Sequence, residues 1–319
     1  MREKILACLK QSSGYFSGEE LSGKLGFSRQ GLWKYIRELK ELGYEISAVP
    51  HLGYKLDKCP DRLYPWEIKH NLKVKYLGKE IVYYDKVSST MDAAWELGCN
   101  CAVEGTIVCA ESQSKGRGRL GREWISPKYK GIYFSVILRP GISLTDAPCI
   151  TLLTAVALVR QLKRSANLDI SIKWPNDILS GGRKLAGILT ELNAERDRVN
   201  FIVSGMGLNV NSVEKEIPPE AVSLRILLGR KIDRVNFFKG ILCEFEDVYR
   251  EFKLNGPKKI ISEWRAFSYI WGKRIKVSTS NRVIEGVALD LDSDGALLIR
   301  LDSGVVEKTV AGDVEIFGN

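Results

Sequence analysis

The sequence predicts an α+β protein in which a helical segment, a mixed α/β segment and a wholly β segment follow one another. Apolar residues recur at helical spacing before residue 45, as at Ile5, Leu6 and Leu9. Strand-like and helix-like runs alternate through the middle of the chain, and from Gly272 only short β-like runs remain, separated by Asn, Asp and Gly. A polar, proline-bearing linker is expected at Pro60, Asp61 and Pro65. The expected domains are residues 1–60, 66–268 and 269–319.

The first domain has the element order of a winged helix-turn-helix. Residues 2–11 carry an amphipathic helix pattern, a second helical run follows Ser17, and a break at Gly26 precedes a third run that ends at Gly43. Two β-like runs around the turn PHLG would form a wing. The residues that the third helix would offer to a DNA major groove are Ser28, Arg29, Gln30, Trp33 and Lys34. The alternative is a three-helix unit that makes only protein contacts; the wing and the basic surface favour DNA.

Composition restricts the classes of function. The formal net charge of +9 favours acidic partners such as nucleic acid or nucleotide phosphates. The 7 cysteines form no C-x-x-C pair, and the 2 histidines are His51 and His70, so neither a disulfide framework nor a zinc site is expected. The chain has no run suited to a membrane span and no signal-peptide pattern at its N-terminus. We therefore expect a cytoplasmic protein without membrane contact.

A glycine-arginine loop lies in the stretch from Cys109 to Ser135. It alternates the two residue types between β-like runs. Glycine lets backbone amides come close to a ligand, and arginine offers paired donors to carboxylate or phosphate oxygens. The residues concerned are Gly116, Arg117, Gly118, Arg119, Gly121, Arg122 and Gly131. This composition favours an active-site loop that binds anions.

Three other interpretations of this loop are possible. Gly116, Gly118 and Gly121 match G-x-G-x-x-G, but the dinucleotide-binding pattern requires a helix directly afterwards. Here Pro127 and the run GIYFSVIL predict loop and then strand. A nucleic-acid-binding arginine-glycine tail is typically long and disordered, whereas this loop is short. A solvated surface loop is the third alternative.

Hydroxyl groups at Ser88, Ser89 and Thr90 begin a predicted helix of the central domain. They can cap that helix, or they can hydrogen-bond a polar ring bound at its N-terminus, and the pattern leaves both roles open. No histidine lies near enough in sequence to serve as the base for a serine nucleophile. Gln113 lies where the next strand enters the glycine-arginine loop.

A second polar cluster is expected around two turns in the segment SIKWPNDILSGGRKLAGILTEL. Lys173 ends a strand, Asp177 follows the Trp-Pro turn, and Lys184 follows a Gly-Gly hairpin turn. An aspartate that can hold Mg²⁺ and two lysines that neutralise phosphate suit nucleotidyl transfer. Ion pairing around two surface turns is the alternative. The small residues of FIVSGMGLNVN would let a flat ligand approach the sheet closely.

Four motifs, GRGRLGREW, KWPNDIL, KLAGILTEL and GMGLNVN, give the chain a close resemblance to the biotin protein ligases. With the leading helix-turn-helix, it resembles the bifunctional members that are also biotin operon repressors. The resemblance covers essentially the whole chain and implies a catalytic domain like those of the biotin and lipoate ligases, followed by a small SH3-like β-barrel. It implies synthesis of biotinyl-5′-AMP from biotin and ATP with Mg²⁺, then transfer to a lysine of a biotin carboxyl carrier protein.

The resemblance also implies roles for individual residues. The catalytic residues would be Arg119, Lys173, Asp177 and Lys184, with Asp177 also at the metal. Biotin would be bound by Ser89, Thr90, Met91, Gln113, Arg117, Gly118, Arg119 and Lys184. ATP would be bound by Gly116, Arg117, Arg119, Arg122, Trp124, Lys173, Asn176, Lys184, Gly205 and Asn209. Met91 stands where the family usually has asparagine, so it can offer only its backbone and an apolar side chain.

The resemblance implies partners beyond the substrates. The adenylate-bound protein would form a homodimer and bind operator DNA. A monofunctional ligase whose winged helix does not repress, or a lipoate-type ligase, are the alternatives.

Overall fold

The computed structural model describes residues 1–12, 14–26, 28–165, 168–196, 198–279 and 281–317, and the backbone alone of Arg29. The chain forms two compact units, Met1–Arg62 and Leu63–Asn319. Across these described ranges, every helix is too short or too polar to cross a lipid bilayer. The expected boundary near residue 268 falls inside the second unit and stays a prediction.

The first unit is a winged helix-turn-helix, as predicted. Its elements are α1 (Arg2–Gln11), α2 (Gly18–Leu25), α3 (Arg29–Glu41), β1 (Glu45–Val49) and β2 (Gly53–Lys58). The apolar positions at helical spacing, among them Ile5, Leu9, Leu32 and Leu39, are buried. The strands β1 and β2 pair antiparallel and form the wing.

The second unit contains six α-helices within the described residues. They are α4 (Pro65–Lys69), α5 (Thr90–Cys99), α6 (Cys149–Ser165), α7 (Leu224–Leu228), α8 (Arg234–Asn255) and α9 (Lys258–Phe267). Pro65 was predicted to lie in a linker, and this is wrong. Proline is tolerated at the first helical position because the amide there has no intrahelical partner, and Pro65 begins α4.

A seven-stranded sheet forms the centre of this unit. Its strands are β3 (Ile81–Tyr84), β4 (Ile107–Ala110), β5 (Gly131–Leu138), β6 (Ser171–Lys173), β7 (Asp177–Ser180), β8 (Arg183–Glu195) and β9 (Arg198–Asn209). The order is β3-β4-β5-β9-β8-β7-β6, and only the β3–β4 pair is parallel. The predicted Gly181-Gly182 hairpin joins β7 to β8, and both glycines have positive φ.

The two faces of the sheet carry different clusters. Phe134 and Met206 face the main core, which α6 and α8 complete. Val108 and Val203 face a smaller cluster that includes Met91 from α5. Successive side chains along a strand point to opposite faces of the sheet. The long helices α6 and α8 pack on one face, and α5 and the glycine-arginine loop lie on the other.

The C-terminal strands form a second, antiparallel sheet. They are β10 (Arg274–Ser278), β11 (Val283–Leu291), β12 (Leu297–Arg300), β13 (Val306–Thr309) and β14 (Asp313–Ile316), in the order β13-β12-β11-β10-β14. The run VVEKTVAGDVEIF is divided between β13 and β14. The last strand thus returns beside the first strand of this sheet, and Asp313 pairs with Ser278.

One row of paired residues crosses the seven-stranded sheet on the face of α5 and positions the candidate site. Neighbouring strands place its members side by side. The row consists of Lys173, Asp177, Gly187, Gly207 and Tyr133. The end of β6 at Lys173 and the start of β7 at Asp177 therefore lie beside two glycines that present no side chain.

Candidate active site

The glycine-arginine loop is folded into a small hairpin between β4 and β5. The amide of Gly118 donates to the carbonyl of Arg122 at 2.7 Å, and that of Trp124 donates to the carbonyl of Gly116 at 2.9 Å. At its tip, Leu120 and Gly121 have positive φ of 54° and 73°. The loop leads into a strand, as predicted, and does not lead into the helix of a dinucleotide-binding motif.

The entry to the loop is joined to the segment before α5. The amides of Ser114 and Lys115 donate to the carbonyls of Val87 and Ser88 at 2.9 and 2.8 Å. Gln113 forms a parallel bridge with Val87. This pairing brings the Gln113 side chain to the N-terminus of α5.

Ser89 and Thr90 have different roles at that N-terminus. Ser89 is the N-cap of α5, and its Oγ accepts a hydrogen bond from the amide of Met91 at 3.2 Å. The amide and Oγ1 of Thr90 donate to Oε1 of Gln113 at 2.8 and 3.2 Å. Ser135 Oγ donates to Thr90 Oγ1 at 3.0 Å, and Gln113 Nε2 donates to Ser126 Oγ at 3.0 Å. The result is a polar network with fixed donors and acceptors at a helix N-terminus.

Met91 belongs to the apolar side of the same helix. It is buried in the cluster with Ala94 and Val203. Its Sδ lies so close to Gly205 that a Cβ there would be 2.4 Å from the sulfur. The side chain therefore forms part of the apolar floor of the site and offers no polar group to a ligand.

Trp124 covers the glycines of the row. A Cβ at Gly207 would lie 2.4 Å from the indole, and one at Gly187 would lie 3.0 Å from it. The two positions accept the ring only because glycine has no side chain. Lys184 Nζ lies 5.7 Å from the centre of the same ring. Asn209 is buried at the end of β9, and its side-chain amide has no hydrogen-bond partner among the described residues.

The predicted lysine–aspartate cluster is assembled beside Trp124. Lys184 Nζ lies 2.8 Å from Asp177 Oδ1. Asn176 is fixed by a 2.8 Å hydrogen bond from its Nδ2 to the carbonyl of Ile188. The Lys173 amine, across the ladder from Asp177, has no hydrogen-bond or ion-pair partner in the part of the chain that the structure describes. One lysine is thus paired and the other is free to meet an anion.

Each arginine of the loop lies against a carboxylate. Arg117 Nη2 lies 2.8 Å from Asp92 and 2.9 Å from Glu191. Arg119 Nη1 lies 3.3 Å from Asn176 Oδ1 and 3.6 Å from Asp313.

Arg122 Nη2 also contacts Asp313. Burial lowers the pKa of the Arg119 guanidinium, and the carboxylates of Asp313 and Asp177 oppose that shift. Arg119 is only 20% exposed, whereas Arg117 and Arg122 are 41% and 69% exposed, so the loop is solvated at its tip and buried at Arg119.

The recognition helix of the first unit presents several of the predicted DNA contacts. Ser28 caps α3, and its Oγ accepts from the amide of Gly31 at 3.1 Å. Gln30 and Lys34 are exposed, and Trp33 is 56% exposed. The side chain of Arg29, also predicted to contact DNA, lies outside the described residues.

Comparisons with known sequences place the chain in a family. The model of the Biotin/lipoate A/B protein ligase family matches residues 83–209, an HTH domain model matches residues 1–55, and a model of the Biotin protein ligase C terminal domain matches residues 270–316. The Bifunctional ligase/repressor BirA of Bacillus subtilis is 40% identical over 99% of this chain and 98% of its own length. The chain belongs to the biotin protein ligase family. The resemblance deduced from the four motifs is confirmed.

Further relatives agree with membership of the biotin protein ligase family. The Bifunctional ligase/repressor BirA of Escherichia coli is 28% identical over 98% of this chain and 96% of its own length. The Biotin--[acetyl-CoA-carboxylase] ligase of Mycobacterium tuberculosis is 31% identical over 71% of this chain and 85% of its own. A solved structure, the Aquifex aeolicus biotin protein ligase in complex with biotin and ATP, is 27% identical and superimposes with a TM-score of 0.63, over 75% of this chain and 98% of that one.

Sequence reasoning missed several residues of this biotin protein ligase family member. Ser135 is the one serine or threonine in the buried run of β5, a signal that could have marked it. Glu111 and Arg234 form a fully buried ion pair at 2.8 Å, and Arg234 also donates to the carbonyl of Gly131. This pair ties together the two ends of the segment that carries the loop. The sequence around Asp313 did not mark it as a site residue, because a Gly-Asp pair beside a strand is common in turns.

Proposed function

We propose that the chain is an ATP-dependent biotin protein ligase. It activates biotin to biotinyl-5′-AMP and transfers the biotinyl group to a lysine of a biotin carboxyl carrier protein. The observation that carries this proposal is the convergence of Arg119, Asn176, Asp177 and Lys184 beside Trp124, where two glycines open the sheet face. The names of the relatives and of the solved structure support the choice of biotin and ATP.

The first step joins two anions, so repulsion between them is its main barrier. A biotin carboxylate oxygen attacks the α-phosphorus of ATP, a new P–O bond forms, and the bond to the bridging oxygen breaks as pyrophosphate leaves. Arg119, Lys173 and Lys184 would stabilise the charge that builds on the phosphate oxygens. In the second step the carrier lysine amine attacks the acyl carbon, and AMP leaves with the electron pair of the broken bond while the amine loses a proton. No covalent enzyme intermediate is needed.

The biotin ring is assigned to the network at the N-terminus of α5. The hydroxyls of Ser89 and Thr90 and the amide of Gln113 would hydrogen-bond its ureido group, and Met91 would lie beneath the ring. Arg117 and the backbone at Gly118 would meet the biotin carboxylate. These roles depend on exchange of the contacts that the same atoms make within the protein.

The nucleotide is assigned to the other side of Trp124. Lys173, Lys184 and Arg119 would contact the phosphates, with Arg122 and the backbone at Gly116 at the edge of the loop. Further contacts are assigned to Asn176, Trp124, Gly205 and Asn209. The buried indole nitrogen of Trp124, which has no hydrogen-bond partner among the described residues, supports this assignment, because burying such a group without a partner is unfavourable.

Mg²⁺ is assigned to Asp177 and the ATP phosphates together. The described residues include no group of three or more acidic, His or Cys side chains that could hold a metal ion. A site made by one carboxylate and substrate phosphates is usual for Mg²⁺, so the lone Asp177 fits. When bound, the ion would supply positive charge at the phosphate oxygens.

The direct test uses ATP labelled with ³²P at the α-phosphate. With biotin as the added acid, we expect a labelled adenylate that is stable on the protein and disappears when a biotin carrier domain is added. Lipoate should neither form an adenylate nor compete at similar concentration. If lipoate, and not biotin, is adenylated, the chain is a lipoate-type ligase; if neither is, the proposal is wrong.

A second function, transcriptional repression, is favoured by the exposed Trp33 and Lys34 on a capped recognition helix. We propose that the adenylate-bound protein forms a homodimer whose two winged helices bind a palindromic operator. A gel-shift with the region upstream of biotin genes tests it. A shift that requires biotin and ATP is expected, and a shift absent under all conditions would leave a monofunctional ligase.

A further inference from the structure

The C-terminal sheet contacts the glycine-arginine loop at the turn that begins β14. Asp313 Oδ1 lies 3.6 Å from Arg119 Nη1, and Asp313 Oδ2 contacts Arg122 Nη2. The carbonyl of Gly312 accepts a hydrogen bond from Arg119 Nη1 at 3.1 Å. Two of the three loop arginines are therefore held by one short turn, and the carboxylate at its centre is only 19% exposed.

The position of this turn is set by close packing on β10. Gly312 has φ of 153°, and a Cβ there would lie 2.5 Å from a methyl carbon of Val277. Asp313 pairs with Ser278 in the β10–β14 ladder. The acceptors that meet Arg119 thus lie at the start of a paired strand, whereas Arg119 itself lies on a loop whose tip is a tight turn.

The contacts engage one nitrogen of the Arg119 guanidinium. Its hydrogen bonds to Gly312 and Asn176 and its approach to Asp313 all use Nη1. Within the described chain, Nε and Nη2 donate no hydrogen bond. Carboxylate and phosphate groups bind a guanidinium best through two parallel N–H donors, and the edge formed by Nε and Nη2 offers such a pair. The turn therefore orients the arginine and leaves its bidentate edge for a ligand.

We propose that Asp313 is a positioning residue for adenylation, acting through Arg119 and Arg122. This proposal rests on the proposed ligase function. The Asp313 carboxylate and the Gly312 carbonyl hold Arg119 beside Asn176 before substrates arrive. The arginine side chain therefore loses less conformational entropy when the phosphate and the biotin carboxylate bind. The same contacts keep the loop closed over the adenylate afterwards.

The test compares the full-length wild type with Asp313→Asn, which keeps the shape and removes the charge. We expect the KM for ATP in biotin-dependent pyrophosphate release to rise about tenfold, and free biotinyl-AMP to escape about tenfold faster, as loss of one charge-assisted contact implies. Asp313→Glu should recover part of both. The matched control is Asp302→Asn, which removes an exposed carboxylate that pairs with Arg274 on the same sheet and should change neither value.

A combined variant separates positioning from a general structural effect. Because Asp313 acts through the loop arginines, Asp313→Asn should add little further leakage in a background in which both Arg119 and Arg122 are replaced by glycine. An equal additional loss in that background, or wild-type KM and retention in the single variant, would overturn the proposal. Melting curves check folding, and Asp313→Ser replaces Asp313→Asn if the latter does not fold. If the wild type itself forms no biotinyl-AMP, the ligase function fails instead.

Discussion

Lys184 Nζ lies 2.8 Å from Asp177 Oδ1, and the two residues lie on neighbouring strands of one antiparallel ladder. The pair holds the amine near the ring of Trp124 and next to Gly187, which the same ring covers. Both side chains remain partly exposed, and we propose that an incoming phosphate reaches the amine and exchanges for the carboxylate. We regard this exchange as the point where nucleotide binding engages the lysine.

Lys184→Ala should therefore lose most of the adenylation rate. Removing one group that stabilises the charge of the transition state is expected to lower kcat by about 100-fold. Biotin-dependent pyrophosphate release at saturating ATP measures the effect. Lys215→Ala, which removes an exposed lysine from a surface turn, is the control and should be unchanged. Normal pyrophosphate release by Lys184→Ala would remove this lysine from the site.

Arg119→Gly should release biotinyl-AMP into solution. Without the side chain that joins the loop to Asn176 and Gly312, the loop should close less well, and the free adenylate should acylate unrelated lysines. The measurement is biotin incorporation into a bystander protein in the absence of a carrier domain, with Arg230→Gly as the control. An adenylate held as tightly as in the wild type would contradict the role of the loop as a lid.

Gly207→Ala should weaken ATP binding with little change in the fold. The new methyl group would lie 2.4 Å from the indole of Trp124 and must displace it from the sheet. We expect the KM for ATP to rise about tenfold or more, since misplacement of a group that positions the substrate is costly. Gly23→Ala is the control, because that helical position has open space around it. Unchanged kinetics in Gly207→Ala would show that Trp124 need not lie over this glycine.

The protein should lose stability as the pH rises above 9. Burial raises the pKa of the Cys149 thiol from 9.0 to about 12, with nearby Asp146, Asp294 and Asp292 adding to the shift. Between these values the unfolded chain loses the proton and the folded chain keeps it, so the stabilisation present below pH 9 is lost as the pH rises towards the folded pKa.

Urea unfolding of Cys149→Ala at pH 9 to 10.5 measures this contribution. The free energy of unfolding should fall less steeply than in the wild type, by up to about 1.4 kcal/mol per pH unit. Cys101→Ala, which removes an exposed thiol, should keep the wild-type slope. Equal slopes for all three proteins would contradict the assignment.

Lys34→Ala should weaken binding to operator DNA and to other DNA sequences to a similar extent. An exposed lysine on the recognition helix is suited to a phosphate contact, so the slope of log K against log salt should decrease by about 1. Titrations of the adenylate-bound protein at several salt concentrations measure it. Lys4→Ala, on α1, is the control. An unchanged salt slope for Lys34→Ala would place this residue away from the DNA.

Local patterns predicted much of the fold and the centre of the site. The Gly181-Gly182 turn requires positive φ at both residues, so the β7–β8 hairpin and the approach of Lys184 to Asp177 followed from sequence. The step from the glycine-arginine loop into a strand followed from Pro127 and the β-branched run after it. Such features depend on residues that are near one another in the chain.

Contacts between distant segments could not be predicted in this way. Nothing in the sequence joins Arg119 to Asp313, or Glu111 to Arg234, because each pair is brought together only when two separate elements pack. The local sequence also could not decide the structure at Pro65, because a proline fits a linker and the first turn of a helix equally well. The outcome there depended on burial of Ile68 by the rest of the unit.

A crystal structure with biotinyl-5′-AMP bound tests the central claim most directly. We expect the glycine-arginine loop to cover the adenylate, with Arg119 and Lys184 donating hydrogen bonds to the oxygens around the acyl-phosphate bond and Trp124 beside the nucleotide. A structure in which the loop extends into solvent, away from Lys173 and Lys184, would contradict it.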